Sequence, residues 1–421
     1  MTKLWVPACL VIAIAACDSG DSARGDTETA TVRDSAGVAI VENTVVEPPG
    51  IPAWRIDTVP AMTIGKTSGE SAYEFGTIGG IRRMPNGMIV VLTGQGESAY
   101  EFRFFDSTGT HVVTHGKRGQ GPGDYRWVTY FAPVGGDTLV AVDFPNSRIN
   151  WLTASSGHLR SARLDDAGFK KVLGDDAFGM FETMVPLGDS LYAVKAFRRA
   201  PDAQSRGQRA TTYHIANLAA GTAPELVRYQ EPPMKEVQLS TGPTSLFPMN
   251  AGSDDHVVDR VRRRIRASLS NTPQITCIDD NGKRMIIRWK AETVPYTEAD
   301  RRASEESFRK MRVGSRMTSQ DIEKLLAARE WPERFNPFLV LQIDADGNFW
   351  VSEYTLDSTG KRQSRFRVFG PDGKQVAFAD PFPVRSFGLS NPVDIGRDAV
   401  LRVIENADGA QVIGVFPIRR P

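Results

Sequence analysis

Gly-Lys-Arg-Gly-Gln-Gly-Pro-Gly-Asp-Tyr, residues 116–125, lies between two hydrophobic runs that are typical of β-strands. A weaker copy begins at Gly65 and ends at Tyr73, again between two such runs. Proline fixes φ and glycine permits left-handed backbone, so such a stretch can turn the chain tightly. We interpret both copies as crossovers from the outer strand of one sheet to the inner strand of the next. Their recurrence predicts a repeat protein.

Turn pairs followed directly by a β-rich run indicate the length of the repeat. They begin at residues 86, 136, 188, 346 and 397. The intervals are 50 (86 to 136), 52 (136 to 188), 158 (188 to 346) and 51 (346 to 397) residues. A period near 50 is typical of a β-propeller with four-stranded blades. The long interval equals about three periods, but it holds only one further outer hairpin, at Gly282, so we expect six blades rather than seven.

Two other segments complete the expected architecture. Thr297 to Trp331 has helix-capping residues and few β-branched residues, which predicts one or two inserted helices, the second near Asp321. The last blade lacks an outer strand, and Trp54 to Ile64 can supply it, so strands from both termini would close the ring. Gly37 to Glu42 is expected to be an extra outer strand. The prediction is an all-β, six-bladed propeller over residues 36–421.

The composition is that of an ordinary globular protein, with 41% hydrophobic and 24% charged residues. The formal net charge of +1 argues against a general polyanion binder, and we expect no nucleic-acid partner. We expect a monomer. Of the cysteines Cys9, Cys17 and Cys277, the first lies in an apolar run that we expect to be removed, so no disulfide framework is predicted.

The N-terminus is typical of an exported lipoprotein. The apolar run Leu4 to Ala16 suits a signal peptide over residues 1–16 and is too short to span a membrane comfortably. Ile14-Ala15-Ala16-Cys17 resembles the bacterial lipobox, which implies acylation of Cys17 and a membrane anchor. Residues 17–35 are polar and predict a flexible tether. The expected location is the cell envelope, facing the periplasm or the exterior. An ordinary secretory signal is the alternative.

Four groups of residues resemble the bacterial six-bladed β-propeller envelope proteins akin to NHL-repeat proteins. They are Arg33 to Val38, Gly116 to Tyr125, Gly136 to Ile149 in part, and Asp344 to Val351. The resemblance covers residues 33 to 416 and is weakest near 231 to 296. It implies the propeller fold and no common reaction.

Two basic stretches are candidate anion-binding sites. In the crossover, Lys117 and Arg118 with exposed backbone amides would form an anion-binding nest, although a purely structural turn is the main interpretation. The second stretch has five arginines, which are Arg260, Arg262, Arg263, Arg264 and Arg266. A solvated strand edge or a blade insertion explains it, and contact with anionic lipid or an acidic envelope polymer is the alternative.

Other residues carry weaker functional signals. His111 and His115 are about 13 Å apart if they lie on one strand, too far for one metal ion. The sequence Asp344-Ala345-Asp346-Gly347 fails the calcium-loop register and indicates an inter-strand turn. Cys277 is expected to be a buried small hydrophobic residue.

No catalytic constellation and no cofactor site is evident in the sequence. We therefore expect a non-catalytic scaffold that binds a protein or glycan partner, with the long connections at 198–209 and 297–331 as binding loops. The alternative is a lactonase-like hydrolase or lyase with a divalent metal in the central channel, since residues from several blades would build such a site. A sensor domain for a neighbouring transporter is a third hypothesis.

Overall fold

The structure is a computed structural model. It describes residues 29–95, 98–164, 166–178, 184–188, 190–199, 209–231, 234–246, 248, 254–260, 262–292, 294–312, 317–383 and 393–421. The predicted signal peptide, Cys17 and the first part of the tether lie outside these ranges. Among the described helices, none has the length and apolar character needed to cross a bilayer.

The described residues begin with four strands that each join a blade formed by later residues. These are β1 (Ala30–Ser35), β2 (Val38–Asn43), β3 (Ala53–Ile56) and β4 (Met62–Ile64). The predicted tether was drawn too long, because its last six residues form β1, which pairs antiparallel with β2. A 3-10 helix, Ser71–Tyr73, follows in the weaker copy of the crossover.

Blades 1 to 3 follow in chain order, and each has its inner strand first. Blade 1 contains β5 (Thr77–Arg83), β6 (Ile89–Gln95), β7 (Ser98–Phe105) and β8 (His111–His115). Blade 2 contains β9 (Val128–Gly135), β10 (Thr138–Asp143), β11 (Arg148–Thr153) and β12 (Gly157–Arg163). Blade 3 contains β13 (Ala177–Phe178) and β14 (Val185–Pro186), which share the inner position, then β15 (Leu191–Arg199), β16 (Arg209–Asn217) and β17 (Glu225–Gln230).

A hairpin of β18 (Lys235–Leu239) and β19 (Gly242–Leu246) precedes the second half of the ring. Blade 4 contains β20 (Asp254–Asp259), β21 (Arg264–Leu269), β22 (Gln274–Asp279) and β23 (Arg284–Trp289). Blade 5 contains β24 (Val340–Ile343), β25 (Phe349–Leu356), β26 (Arg362–Phe369) and β27 (Gln375–Ala379). Blade 6 contains β28 (Val393–Ile395), β29 (Ala399–Glu405) and β30 (Gln411–Arg419).

The early strand β4 completes blade 6, as predicted. It pairs antiparallel with β30, with Ile64 opposite Ile413, while β3 pairs with the end of β30 and with β27 of blade 5. Strand β2 lies parallel to β23 and forms the expected extra outer strand, on blade 4. Both ends of the chain therefore take part in the ring.

The hydrophobic core lies between blades, and each blade shares a buried cluster with both of its neighbours. Phe102 of blade 1 packs with Phe131 of blade 2, and one larger cluster joins blades 2, 3 and 4. Phe349 of blade 5 packs with Ile275 of blade 4. Further clusters join blade 5 to blade 6 and blade 6 to blade 1. The six four-stranded units thus form a closed ring.

In the part of the chain that the structure describes, three α-helices lie in the connections between blades. Helix α1 (Asp166–Leu173) follows blade 2, while α2 (Glu298–Arg312) and α3 (Ser319–Ala328) lie between blades 4 and 5. The predicted helical insertion is therefore confirmed as two helices. A capping box of Thr318 and Asp321 starts α3. The buried Leu325 packs with Leu239 of the β18–β19 hairpin. This hairpin was not predicted from the sequence.

Candidate functional site

Strand order divides the connections between the two faces of the ring. In an antiparallel blade, the turn after the inner strand and the turn before the outer strand lie at one end. The turn between the two middle strands lies at the other end, together with the crossover to the next blade. Residues 116–127, 144–147, 164 and 166–176 therefore lie on the same face at blade 2, which we call the crossover face.

The crossover between blades 1 and 2 has the conformation that its glycines predict. Gly116 has φ of +90°, and a Cβ there would lie 2.8 Å from the carbonyl oxygen of Tyr100. The amide of Tyr125 donates to the carbonyl of Lys117 over 2.9 Å, and that of Gly119 donates to the carbonyl of Tyr125 over 3.0 Å. The Tyr125 side chain is buried and packs edge-on against Phe102. The structural interpretation of this stretch is confirmed.

Two residues of blade 2 hold this crossover in place. The guanidinium of Arg148 donates to three of its carbonyl oxygens, those of Gln120 (3.1 Å), Gly121 (2.9 Å) and Asp124 (2.7 Å). The Asn146 amide donates to the carbonyl of Gly119 over 3.0 Å. Fixed donors of this kind make the loop a rigid wall.

That wall forms one side of a cleft of about 430 Å³ on the crossover face. The other sides come from the turn between β10 and β11 and from the end of β12. The lining residues are Gln120, Arg126, Pro145, Asn146, Ser147, Arg148, Ser161 and Arg163. Three of them are arginines and none is a carboxylate. Such a cleft favours an anion.

The register of blade 2 brings two of these arginines together. Arg148 and Arg163 lie directly opposite each other on β11 and β12, and like charges in this position destabilise a strand pair. Arg163 and Arg126 are exposed, and neither side chain makes a hydrogen bond or an ion pair within the described residues. Their donors are therefore available to a ligand.

A buried carboxylate lies behind the arginines. Asp143 is fully buried, and it accepts hydrogen bonds from the amides of Arg126 (3.2 Å) and Trp127 (3.3 Å) and from the side chain of Asn146 (2.6 Å). Burial raises the pKa of Asp143 above its ordinary value, although these donors and the Arg148 guanidinium 4.0 Å away oppose the shift. Asp143 therefore positions the Arg126–Trp127 backbone.

The predicted nest residues lie in the crossover but do not line the cleft. Lys117 is exposed, with its Nζ 3.9 Å from Asp124, and Arg118 is joined to Tyr125 by a β-bridge. Of the sequence candidates, the structure therefore brings only the loop backbone to the cleft. The three cleft arginines were missed because strand register brings them together.

The second arginine stretch is the turn between β20 and β21 on the opposite face. Arg260 donates to the carbonyls of Pro186 and Pro133, both over 2.7 Å, and Arg262 donates to Asp259 over 3.1 Å. Arg266 is fully buried, lies 3.6 Å from the ring centroid of Phe349, and is 3.7 Å from an Asp259 oxygen. A solvated strand edge is therefore wrong for this segment, and Arg266 does not reach an outside anion. Arg263 is exposed and Arg264 half-buried.

The other candidate residues have structural environments. His111 and His115 lie on β8 and bond separately, to Thr114 (2.9 Å) and to the carbonyl of Ala154 (2.7 Å). In the part of the chain that the structure describes, no group of three His, Cys, Asp or Glu could hold a metal ion. Cys277 is buried, as expected, and burial raises the pKa of its thiol.

The turn at Asp344 is confirmed as an inter-strand turn, between β24 and β25. Oxygens of the Asp344 carboxylate accept hydrogen bonds from the amides of Asp346 and Asn348, both over 2.9 Å, and from the Trp350 indole over 3.0 Å. These protein donors occupy the carboxylate.

Comparison with known proteins gives structural matches only. No family model and no curated protein matches the sequence. A member of the DUF4221 family from Bacteroides vulgatus matches with a TM-score of 0.50 at 12% identity, covering 87% of this chain and 99% of that one. A Bacteroides fragilis protein assigned as exported matches with a TM-score of 0.44 at 11% identity, covering 88% and 99%.

A catalytically inactive variant of virginiamycin B lyase from Staphylococcus aureus, solved with quinupristin, also matches. Its TM-score is 0.37 at 8% identity, and the match covers 86% of this chain and 99% of that chain. Identities this low concern the fold alone. By its own strand topology, the chain is an all-β propeller.

Proposed function

We propose that this protein is a lipid-anchored binding propeller of the cell envelope, which holds an anionic protein or glycan partner in the blade 2 cleft without transforming it. One observation carries the proposal. Three guanidiniums line the cleft with no carboxylate among its lining residues, and two of them, on Arg126 and Arg163, have no partner within the described residues.

The energetics of the cleft support an anionic partner. The opposed pair Arg148 and Arg163 costs the free protein stability, by about 0.2–1 kcal/mol for facing like charges. An anion bound between them removes that repulsion and accepts charge-assisted hydrogen bonds, which are roughly twice as strong as neutral ones. Relief of the repulsion between Arg148 and Arg163 therefore adds to the free energy of anion binding.

The envelope location rests on the N-terminal sequence. The apolar run before Cys17 and the lipobox-like Ile14 to Cys17 would place acyl chains on that cysteine. The structural similarity to a protein assigned as exported agrees with this location. With two or three acyl chains, anchoring would be firm.

A capture experiment tests the cleft. Acylated full-length protein is used as bait on the detergent-solubilised envelope of its source bacterium, and the R126E/R163E variant is compared with wild type. We expect the variant to retain under about a tenth of each captured partner, since two charge reversals cost at least the roughly 1.4 kcal/mol that a tenfold change requires. K117E/R118E tests the crossover nest separately.

The matched control is R55E, because Arg55 is 69% exposed on β3, outside every candidate binding segment, and its partner is Asp380. Capture by R55E should equal that of wild type. If R126E/R163E captures as much as wild type while remaining folded, the cleft is not the binding site. Loss of membrane association in Cys17→Ser, with the fold preserved, tests the anchor independently.

A further inference from the structure

We infer that the blade 2 cleft takes an acidic saccharide, a sugar ring that carries a carboxylate or a phosphate group. The inference rests on the proposed function and narrows its partner class. It comes from three observations, which are the arginine donors that have no partner within the described residues, the polarity and size of the cleft walls, and the exposed indole of the residue that follows Arg126.

The available donors lie on two arginines rather than three. Both Nη atoms of Arg148 donate to crossover carbonyls, so Arg148 gives the cleft positive charge and holds the loop that forms one of its walls. Arg126 and Arg163 keep their guanidiniums free within the described residues. A guanidinium binds a carboxylate or a phosphate through two parallel hydrogen bonds, so the anionic group belongs with these two residues.

The remaining walls offer hydroxyl and amide groups. Gln120, Asn146, Ser147 and Ser161 line the cleft, and Pro145 is its one apolar lining residue. The Ser161 hydroxyl donates to the Asn150 side chain over 2.7 Å and lies 2.8 Å from Nε2 of His158, which leaves one lone pair of its oxygen for a ligand donor. Protein partners bind mainly through aromatic or aliphatic side chains that insert into apolar pockets. The walls of this cleft are too polar to form such a pocket. Sugar hydroxyls match its polar groups.

The size of the cleft points the same way. Its volume of about 430 Å³ lies in the range of small-molecule sites, roughly 300–1,000 Å³. One or two sugar units fit such a space. A flat polymer-binding groove would extend across several blades instead.

An exposed tryptophan follows Arg126 in the sequence, although it is not among the residues that line the cleft. Trp127 is 51% exposed, although tryptophan usually buries its ring, and it follows Arg126 directly. The amides of both residues bond the Asp143 carboxylate, so their positions are fixed together. The apolar face of an indole can cover the C–H face of a sugar ring while arginine holds the charge. This combination distinguishes a sugar acid from a bare anion.

Calorimetric titration of the full chain at low salt tests the inference. The probes are trigalacturonic acid, glucose 6-phosphate, a neutral galactose trisaccharide, inorganic phosphate and an oligoglutamate peptide. We expect binding of at least one acidic saccharide, tenfold or more tighter than that of phosphate or the peptide, and no heat with the neutral sugar. The uronate and sugar-phosphate arms identify the anionic group.

Variants locate the site. R163Q and R126Q should each weaken acidic-saccharide binding about tenfold or more, the loss of one charge-assisted pair. W127A should weaken saccharide binding but leave phosphate binding unchanged, which a merely structural Trp127 would not do. R55Q should bind as wild type, and circular dichroism should confirm that every variant folds.

The outcomes separate this inference from the proposed function. If phosphate or oligoglutamate binds as tightly as every saccharide, and R126Q/R163Q abolishes that binding, the saccharide is overturned while an anion-binding cleft stands. Equal binding of the neutral trisaccharide also overturns it. If none of the anions binds wild-type protein, both the inference and the proposed cleft function fail.

Discussion

Arg148 and Arg163 face each other across β11 and β12, yet they have opposite relationships to the protein: Arg148 donates to three crossover carbonyls, whereas Arg163 has no partner within the described residues. We therefore expect opposite effects on stability. R148A should lower the free energy of unfolding by about 3 kcal/mol, because it leaves part-buried carbonyls without charged donors.

R163A is the matched substitution on the neighbouring strand. It should leave stability unchanged or raise it by up to about 1 kcal/mol, because it removes a facing like charge. Urea denaturation at pH 7 measures both. Equal destabilisation by the two variants would contradict the distinction between a positioning arginine and a ligand-facing one.

Gly116 tests the crossover. Alanine there must adopt φ of +90° and place its Cβ 2.8 Å from the Tyr100 carbonyl oxygen. We expect G116A to cost about 3 kcal/mol or more, from backbone strain of roughly 1–3 kcal/mol together with the clash. G87A is the control, since Gly87 has φ of +86° with nothing within 4 Å of the added Cβ. The difference between their denaturation midpoints isolates the clash.

Because β4 closes the ring, we expect truncation of one side chain on this strand to lower the stability of the whole protein. Ile64 on β4 is 1% exposed and packs in the cluster that joins blades 6 and 1. I64A should lower the free energy of unfolding by about 2–4 kcal/mol through the cavity that it leaves. V59A, at a residue that is 74% exposed, should change it by under about 0.5 kcal/mol. If I64A were as mild as V59A, β4 would not be part of the closed ring.

His214 predicts a pH dependence of stability. Burial lowers its pKa, and its Nδ1 lies 3.0 Å from the Ala223 carbonyl. The unfolded chain then binds a proton near pH 6.5 that the folded protein rejects, so stability should fall as pH drops below about 6.5, by at most about 1.4 kcal/mol per pH unit. Thermal unfolding between pH 8 and 5 measures this slope. The H214Q variant should lose that part of the slope, and an unchanged slope would exclude His214.

The fold was largely predictable because its determinants are local. Glycine turns, the repeat period and a missing final strand all appear in short stretches, so ring closure by Trp54 to Ile64 followed from counting strands. The partner of Gly37 to Glu42 was not predictable, since a parallel pairing with β23 joins residues about 245 apart.

The cleft was hidden for a related reason. Arg126, Arg148 and Arg163 are separated by 15 or more residues and belong to three elements that meet only through the register of blade 2. Conversely, the five arginines at 260–266 are close in sequence but have different environments. Because side chains alternate along a strand and the turn reverses the chain, some of these arginines face solvent, Arg260 bonds to carbonyls, and Arg266 lies in the core. Clustering in sequence was a poor guide to clustering in space.

The parallel β2–β23 pair has a mechanical consequence. A pull on Thr29 first breaks the hydrogen bond that the Thr44 amide donates to the Thr29 carbonyl, and it then separates β1 from β2 one residue pair at a time, beginning with Ala30 and Asn43. The six residues of β1 that are released lengthen the tether by about 20 Å, at roughly 3.3 Å per residue. The load then meets six parallel pairs on the rim of blade 4, whereas the seam of β4 and β30 at blade 6 lies off its path. The β1–β2 hairpin thus opens under tension before the ring itself is loaded.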